Sequence, residues 1–457
     1  MNLNEPLIRS ACHHEGHTRP FSSSHFEEKD LSAVQKEVQH CADLPLGEAM
    51  TLPASAYTSP DVFSWEINHI FRAEWLCVAH QSQIPKAGDY LNFDLFGDPL
   101  IIVRGKDESI RILSRVCPHR GMDIMPEGFD PGTSRDDATE PNEPTPCSHT
   151  RLFLCPYHSW TFDLDGRLKA CPEMGQAEGF CRDDFPLTEF RSEVWQGFVF
   201  VNLDGKAPKS VHEQYAEFGR DIAPWNMEAM EVIVESEWDC PFNWKVMIEN
   251  FMESYHHAGA HSKTLQVTMP AKETWTEEEK AHYIRCHLPF RPSARREVDE
   301  KEAGGDRGYI FPPIEGISDE ARYEWGLYLG FPCFMYVVAA DCAVWYRLQP
   351  ISAHRCRLTT TVMAPRDLKN HPDFEEMKNE ATKMAIDFHL EDMHVCLAVQ
   401  RGFSSGSYRQ GRLSHLEMPV WLIQRYLAAR QRDTWPTMDR PPAPAQEHSK
   451  LREPVSH

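Results

Sequence analysis

The stretch CSHTRLFLCPYHSW, Cys147–Trp160, decides how this chain is read. It holds two cysteine–histidine pairs, Cys147/His149 and Cys155/His158. Either the four bind one metal together, or one pair belongs with a partner elsewhere. Only residues 150–154, TRLFL, separate the pairs, and that run ends in apolar residues that read as a strand. An extended segment carries its ends apart, so convergence of these two pairs is disfavoured. Upstream lies a third pair, Cys117 and His119, in CPHRG. Residues 120–154 separate it from Cys155, enough chain for two loops to face each other. Proline follows Cys117 and Cys155 alike and fixes the backbone from which the ligands project. The candidate cluster is therefore Cys117, His119, Cys155 and His158, with Cys147 and His149 left aside.

Two cysteines and two histidines can hold zinc. The spacing, Cys-x-His in one loop and Cys-x2-His in the other, is unlike a zinc finger. It resembles the Rieske family, and FLCPYHSWTFDLDGRL is similar to that family beyond the ligands themselves. The resemblance implies a [2Fe–2S] cluster, with thiolates on one iron and imidazoles on the other. Two departures are visible. Ser159 stands where the family usually has glycine, and an acidic, Pro/Thr/Ser-rich insertion at 130–149 lengthens the gap between the motifs.

A second motif, NWKVMIENFMESYHHAGAH, runs from Asn243 to His261. Trp244, Ile248, Phe251 and Tyr255 recur at helical spacing, and Glu249, Glu253 and His256 or His257 form another stripe. Two histidines and one carboxylate on one face suit non-haem ferrous iron. Helix geometry alone favours His257 with His261; His256 with His261 needs the helix to end between them, which Gly259 permits. Rieske oxygenases carry an acidic residue, Tyr-His, four residues, then His. That resemblance implies His256 and His261 as ligands and Glu253 as a bridge between metal sites. For the third ligand, Asp392 interrupts an apolar stripe of Ala381, Met384, Phe388, Val395 and Val399, and a lone buried carboxylate is costly unless paired or metal-bound. Glu391 is the runner-up. EDMHVCLAVQRGF also resembles the family segment that supplies this ligand.

The expected organisation is a polar N-terminal segment at 1–45, an N-terminal part of the catalytic domain at 46–74, a Rieske domain at 75–202 and an iron-bearing catalytic domain at 203–457. The fold class is α+β: a small all-β domain set before a larger helix-grip-like antiparallel sheet with helices. Helices are expected near 244–258 and 373–400, paired strands in FPCFMYVV and CAVWYRLQP, and surface loops or a lid over 270–325. CHHEGH at 12–17 is read as part of a loosely packed terminus.

The net charge of −22 argues against nucleic acid as a partner. The start lacks a signal-peptide apolar region, and no apolar run is long enough to span a bilayer, so a cytoplasmic protein with reduced cysteines is expected. The resemblance implies a Rieske non-haem iron oxygenase large subunit, catalytic through Glu253 and Asp392, assembled as a homotrimer. It implies O2 and a small organic substrate, with electrons from NAD(P)H through a separate reductase or ferredoxin, since no Rossmann or flavin motif is present. The main substrate expectation is an aromatic or cyclic compound. The alternative is oxidative demethylation of a quaternary ammonium compound, for which a glutamate at the bridge and an aromatic cage from Phe331, Phe334, Tyr336, Trp345 and Tyr346 would speak. A non-catalytic electron carrier is the reading from another class; the second metal motif argues against it.

Overall fold

The computed structural model describes residues 30–125 and 148–434. The CHHEGH motif, Cys147 and nearly all of the 130–149 insertion lie outside the described residues.

Short β-rich runs separated by Gly and Asp turns build a seven-stranded antiparallel sheet. Its spatial order is Leu76–His80, Phe198–Asn202, Glu189–Trp195, Ile110–Ser114, Asp98–Arg104, Asp89–Leu95 and Ser148–His149. The interior DPLIIVR strand is buried on both faces along Leu100–Val103, as its unbroken apolar run requires. A three-stranded sheet of Phe153–Leu154, Thr161–Phe162 and Leu168–Ala170 stands beside it. Ile101, Val103 and Leu113 pack against Phe153, Trp160 and Phe162, and this small core also encloses Cys117 and Cys155.

A second seven-stranded antiparallel sheet follows in the order Met230–Cys240, Arg355–Pro365, Ala343–Ser352, Phe334–Val338, Glu324–Gly330, Tyr283–Pro289 and Trp275–Thr276. One of its faces packs with Phe198, Tyr215 and Phe218 into an aromatic core. The other is covered by the helices Trp244–Met252 and Phe374–Phe403. The pairing of Phe334–Val338 with Ala343–Ser352 agrees with the sequence pattern. The segment 270–325 does not form only loops: it contributes the strand Tyr283–Pro289, the edge strand Trp275–Thr276 beside it and the Pro292–Ala303 helix. One strand has only two residues and the other carries Arg285 and His287 within it, so the strand signal is diluted.

The N-terminal polar region is likewise more ordered than its composition suggests. Leu31–Asp43 is a helix whose Val34, Val38, Cys41 and Ala42 are buried, and it packs along the Met418–Gln431 helix. Asp30 caps it by accepting from the Ala33 amide, and Asp43 pairs with Arg432 at its other end. Among the described residues, no helix is long and apolar enough to cross a membrane.

Candidate metal centres

The two Cys-His loops are conformational twins. The Cys117 amide donates to the Met122 carbonyl and the Gly121 amide to the Cys117 carbonyl, at 2.8 and 3.0 Å. The Cys155 amide donates to the Trp160 carbonyl and the Ser159 amide to the Cys155 carbonyl, again at 2.8 and 3.0 Å. In both loops the fourth residue after the cysteine is left-handed: Gly121 has φ 72° and Ser159 φ 59°. That conformation explains why glycine is usual where this chain has Ser159.

Both cysteines are buried, and the rings of His119 and His158 lie 4.6 Å apart. Trp160 stacks on His119 at 4.7 Å, 6° from parallel. Burial pushes the Cys117 thiol up to about 11, and the neighbouring Cys155 adds to the rise. Two thiols so placed become thiolates together only beside a cation. The Nδ1 atom of His158 is buried without a hydrogen-bond partner, as a ligand nitrogen would be. Among the described residues, one trio alone brings three ligand atoms within 4.8 Å of one another, and none of these four belongs to it. Two thiols and two imidazoles on paired loops are a donor set that fits a two-iron cluster. His149 sits elsewhere, in an edge strand with its Nδ1 bonded to Asp89 at 2.9 Å.

The trio within 4.8 Å is His256, His261 and Asp392. Trp244–Met252 is a helix buried on nearly every side, capped by Asn243, which accepts from the Lys245 amide. It stops sooner than the periodicity implies. Glu253 turns extended, at φ −101° and ψ 145°, and Tyr255–Ala258 is a 3-10 turn. The break places His256 and His261 together despite their five-residue spacing. His257 points away, donating from Nδ1 to the Met269 carbonyl at 3.1 Å, and burial lowers its pKa to about 4.

Glu253 grips the turn twice, accepting from the His256 amide at 3.1 Å and from His256 Nδ1 at 2.7 Å. His261 is fully buried; its Nδ1 meets Glu391 Oε2 at 2.5 Å and its Nε2 meets Asp392 Oδ1 at 2.9 Å. His256 Nε2 lies 3.5 Å from the same Asp392 oxygen. Each imidazole therefore offers Nε2 to the centre, with Nδ1 held by a glutamate. Ligating histidines are commonly fixed in this way.

Burial opposes charge on His256, yet bonds to Asp392 and Glu253 carry its pKa up to about 10. Burial likewise opposes charge on Asp392, and the two histidines nonetheless hold its carboxyl far below the usual range. Such a centre favours positive charge: two protons or one divalent cation. Two imidazoles and one carboxylate fit ferrous iron with positions left open.

Asp392 lies on the Phe374–Phe403 helix, whose buried line is Met377, Ala381, His389, Cys396, Gln400 and Phe403. Val399 is outward-facing, so the apolar stripe read from sequence is only partly the buried one. Sequence reasoning missed His389, one turn before Asp392. It packs on Trp238 at 4.2 Å, its Nε2 is buried without a partner, and burial lowers its pKa to about 4. It also missed the role of Glu391, which needs the tertiary approach of His261. The aromatic cage is largely corrected. Phe334, Tyr336 and Trp345 belong to the core on the opposite face of the sheet, and Phe331 stacks on Tyr426 at 4.2 Å. Tyr346 lies beside the candidate metal trio: it packs on Phe251 at 5.0 Å, and burial with Asp392 nearby raises its pKa.

Residues 74–189 match the Rieske [2Fe-2S] domain, and residues 227–432 match the ring hydroxylating alpha subunit catalytic domain. A carnitine monooxygenase oxygenase subunit from Acinetobacter pittii (strain PHEA-2) is 33% identical over 396 residues, covering 84% of this chain and 93% of its own. The chain belongs to the Rieske ring-hydroxylating oxygenase alpha-subunit family. A biphenyl 2,3-dioxygenase alpha subunit from Rhodococcus jostii (strain RHA1) is 32% identical over 324 residues, 69% of this chain and 60% of its own. The crystal structure of a quaternary ammonium Rieske monooxygenase in complex with L-carnitine superposes with a TM-score of 0.68 at 25% identity, covering 85% of this chain and 97% of that one. This Rieske oxygenase is an oxidoreductase, with a [2Fe–2S] domain and a candidate mononuclear iron site in one chain.

Proposed function

We propose that this Rieske oxygenase is the terminal component of a monooxygenase that hydroxylates a quaternary ammonium compound at a carbon bound to nitrogen. The observation that carries the substrate class is the near full-length match to a carnitine monooxygenase oxygenase subunit. Over the same chain, the biphenyl-oxidising relative matches along a shorter span, so ring hydroxylation of an aromatic compound becomes the lesser reading. The site is compatible with a cation. Tyr346 presents an aromatic ring near Asp392 with Phe251 packed on it, and Glu253, Glu391 and Asp392 together outnumber the charge of one divalent ion.

In this reading Cys117, His119, Cys155 and His158 hold the cluster, while His256, His261 and Asp392 hold the iron. When bound, the cluster supplies electrons singly and ferrous iron supplies the activation of O2. The chain's residues fix that geometry. Trp160 packs His119 in place, and Glu253 holds His256 by Nδ1 so that Nε2 faces the metal position. The net reaction takes one C–H bond, O2, two electrons and two protons to one C–OH and water. A carbinol carbon on nitrogen then breaks its C–N bond, releasing a tertiary amine and a carbonyl compound. The electrons come from NAD(P)H through a separate reductase. The proposed assembly is a head-to-tail homotrimer in which Glu253 also accepts from His158 of an adjacent subunit. Inward placement of His158 Nδ1 leaves its Nε2 for that contact.

The test is turnover of the iron-loaded, reduced protein with a panel of quaternary amines and aromatic acids under labelled O2. The reading expects an aldehyde or ketone and a tertiary amine from one of the quaternary amines. A labelled phenol or diol, with no amine turned over, would overturn it.

A further inference from the structure

In the proposed chemistry Glu391 enters only as one of the site's negative charges, although it touches a metal-facing ring. It precedes Asp392 on the Phe374–Phe403 helix, and the two carboxylates hold opposite nitrogens of one ring. Glu391 Oε2 meets His261 Nδ1 at 2.5 Å, and Asp392 Oδ1 meets Nε2 at 2.9 Å. Glu391 is itself held, since the Thr264 hydroxyl donates to the same Oε2 at 2.8 Å. His261 is fully buried, whereas Glu391 is about one-third exposed at 34%. The ring therefore has no solvent to satisfy Nδ1, and Glu391 is its acceptor. Neighbouring residues on a helix differ by about 100° in direction, so one turn reaches both edges of the ring.

We propose that Glu391 is a positioning residue for the mononuclear metal. It fixes the tautomer and plane of His261 so that Nε2 is aimed at the ion that Asp392 also binds. This rests on the reading of His256, His261 and Asp392 as the metal ligands. The long helix then supplies both the third ligand and the group that aims the second. Glu253 does the same for His256 from the broken helix, so the two imidazoles are held by separate elements. Thr264, three residues beyond His261, completes the hold from the loop side.

The test uses the full chain with its cluster intact, emptied of mononuclear metal and titrated without oxygen with Co(II), whose visible bands report ligand geometry. A competing chelator gives the affinity. Glu391→Ala is expected to weaken Co(II) binding by about 10–100-fold and to alter the band envelope, with cluster absorption unchanged. Glu391→Gln is expected to lose less, because its amide oxygen still accepts from Nδ1–H. Thr264→Val is expected to shift affinity in the same direction by a smaller factor, and it serves as the readout if the alanine variant does not fold. An alanine variant with native affinity and bands would overturn the proposal, as would a glutamine variant that falls as far as alanine. His261→Ala separates the two levels. If it loses Co(II) while Glu391→Ala does not, positioning alone fails; if it also binds normally, the ligand reading fails with it.

Discussion

The helix that leads to the iron ligands begins on a buried ion pair, and breaking that pair should unfasten the site. Lys245 Nζ lies 2.6 Å from Glu66 Oε1, with side chains 1% and 4% exposed. The Trp244 indole donates to the other Glu66 oxygen at 2.8 Å. Removing one partner from a buried pair costs about 3–5 kcal/mol, because the remaining charge stays out of water. In Glu66→Gln the Lys245 ammonium loses its paired counter-charge and keeps the faces of Trp244 and Tyr57, at 5.0 and 5.7 Å from their ring centroids, with Glu249 nearby. Those contacts offset about 1–2 kcal/mol, so a loss near 3 kcal/mol is expected. Glu66→Ala, which also deprives the Trp244 indole of its acceptor, should reach about 4–5 kcal/mol. The double variant Glu66→Gln/Lys245→Met removes both charges, keeps an acceptor for the Trp244 indole, and should lie within about 1 kcal/mol of the parent. Denaturant unfolding measures these values, and iron content after mild warming reports whether the helix end at Met252 still presents Glu253 and His256. A Glu66→Gln loss below about 1 kcal/mol, or a double variant as weak as the summed singles, would refute the reasoning.

Three further outcomes follow from the same contacts. Glu253→Gln should keep its iron and a reducible cluster yet slow turnover by about 10–100-fold, measured by stopped-flow oxidation of the cluster in the presence of substrate; native rates would remove Glu253 from the path between metals. Burial raises the Glu249 carboxyl to about 8, against the bonds from the Tyr57 hydroxyl at 2.8 and 2.9 Å and the nearby Lys245. Between pH 4.5 and 8 the folded protein therefore holds a proton that the unfolded chain has released, and stability falls as pH rises through that window. Glu249→Gln should remove a loss on the order of 2–4 kcal/mol at pH 8 and change little near pH 4.5; an unchanged pH slope in denaturant unfolding contradicts this. Ser159→Gly should relieve the left-handed backbone at the second cluster loop and raise stability by less than about 1 kcal/mol, after the entropy cost of glycine, as read from thermal loss of cluster absorption; destabilisation would mean that Ser159 has contacts worth more than the strain.

The cluster loops were legible because their chemistry is local. Cys-Pro with histidine two or three residues beyond the cysteine is a contiguous pattern, and each loop closes on itself through its own amides. Asp392 was legible as one acid in an otherwise apolar run. Glu391 was not, since its partner His261 lies 130 residues away and only tertiary packing joins them. The aromatic cage failed on parity. Trp345 and Tyr346 are adjacent in one strand and so face opposite sides, and sequence alone does not say which side the helices cover. The helical periodicity from Trp244 through Tyr255 overran the true end because Glu253 competes for the backbone, accepting from the His256 amide and turning the chain. The helix Leu31–Asp43 escaped notice because its few buried positions are spread among polar ones.

In the proposed reading, one chain builds two separate metal sites from two residue sets. Iron and acid-labile sulfide in the purified protein test it most directly, comparing the parent with Cys155→Ser and His261→Ala. About three irons and two sulfides per chain are expected in the parent. His261→Ala should lose about one iron and keep its sulfide and cluster spectrum, while Cys155→Ser should lose the sulfide and about two irons. Zinc in place of iron and sulfide at the Cys117/Cys155 loops, or a His261→Ala variant with the parent's iron content, would contradict it.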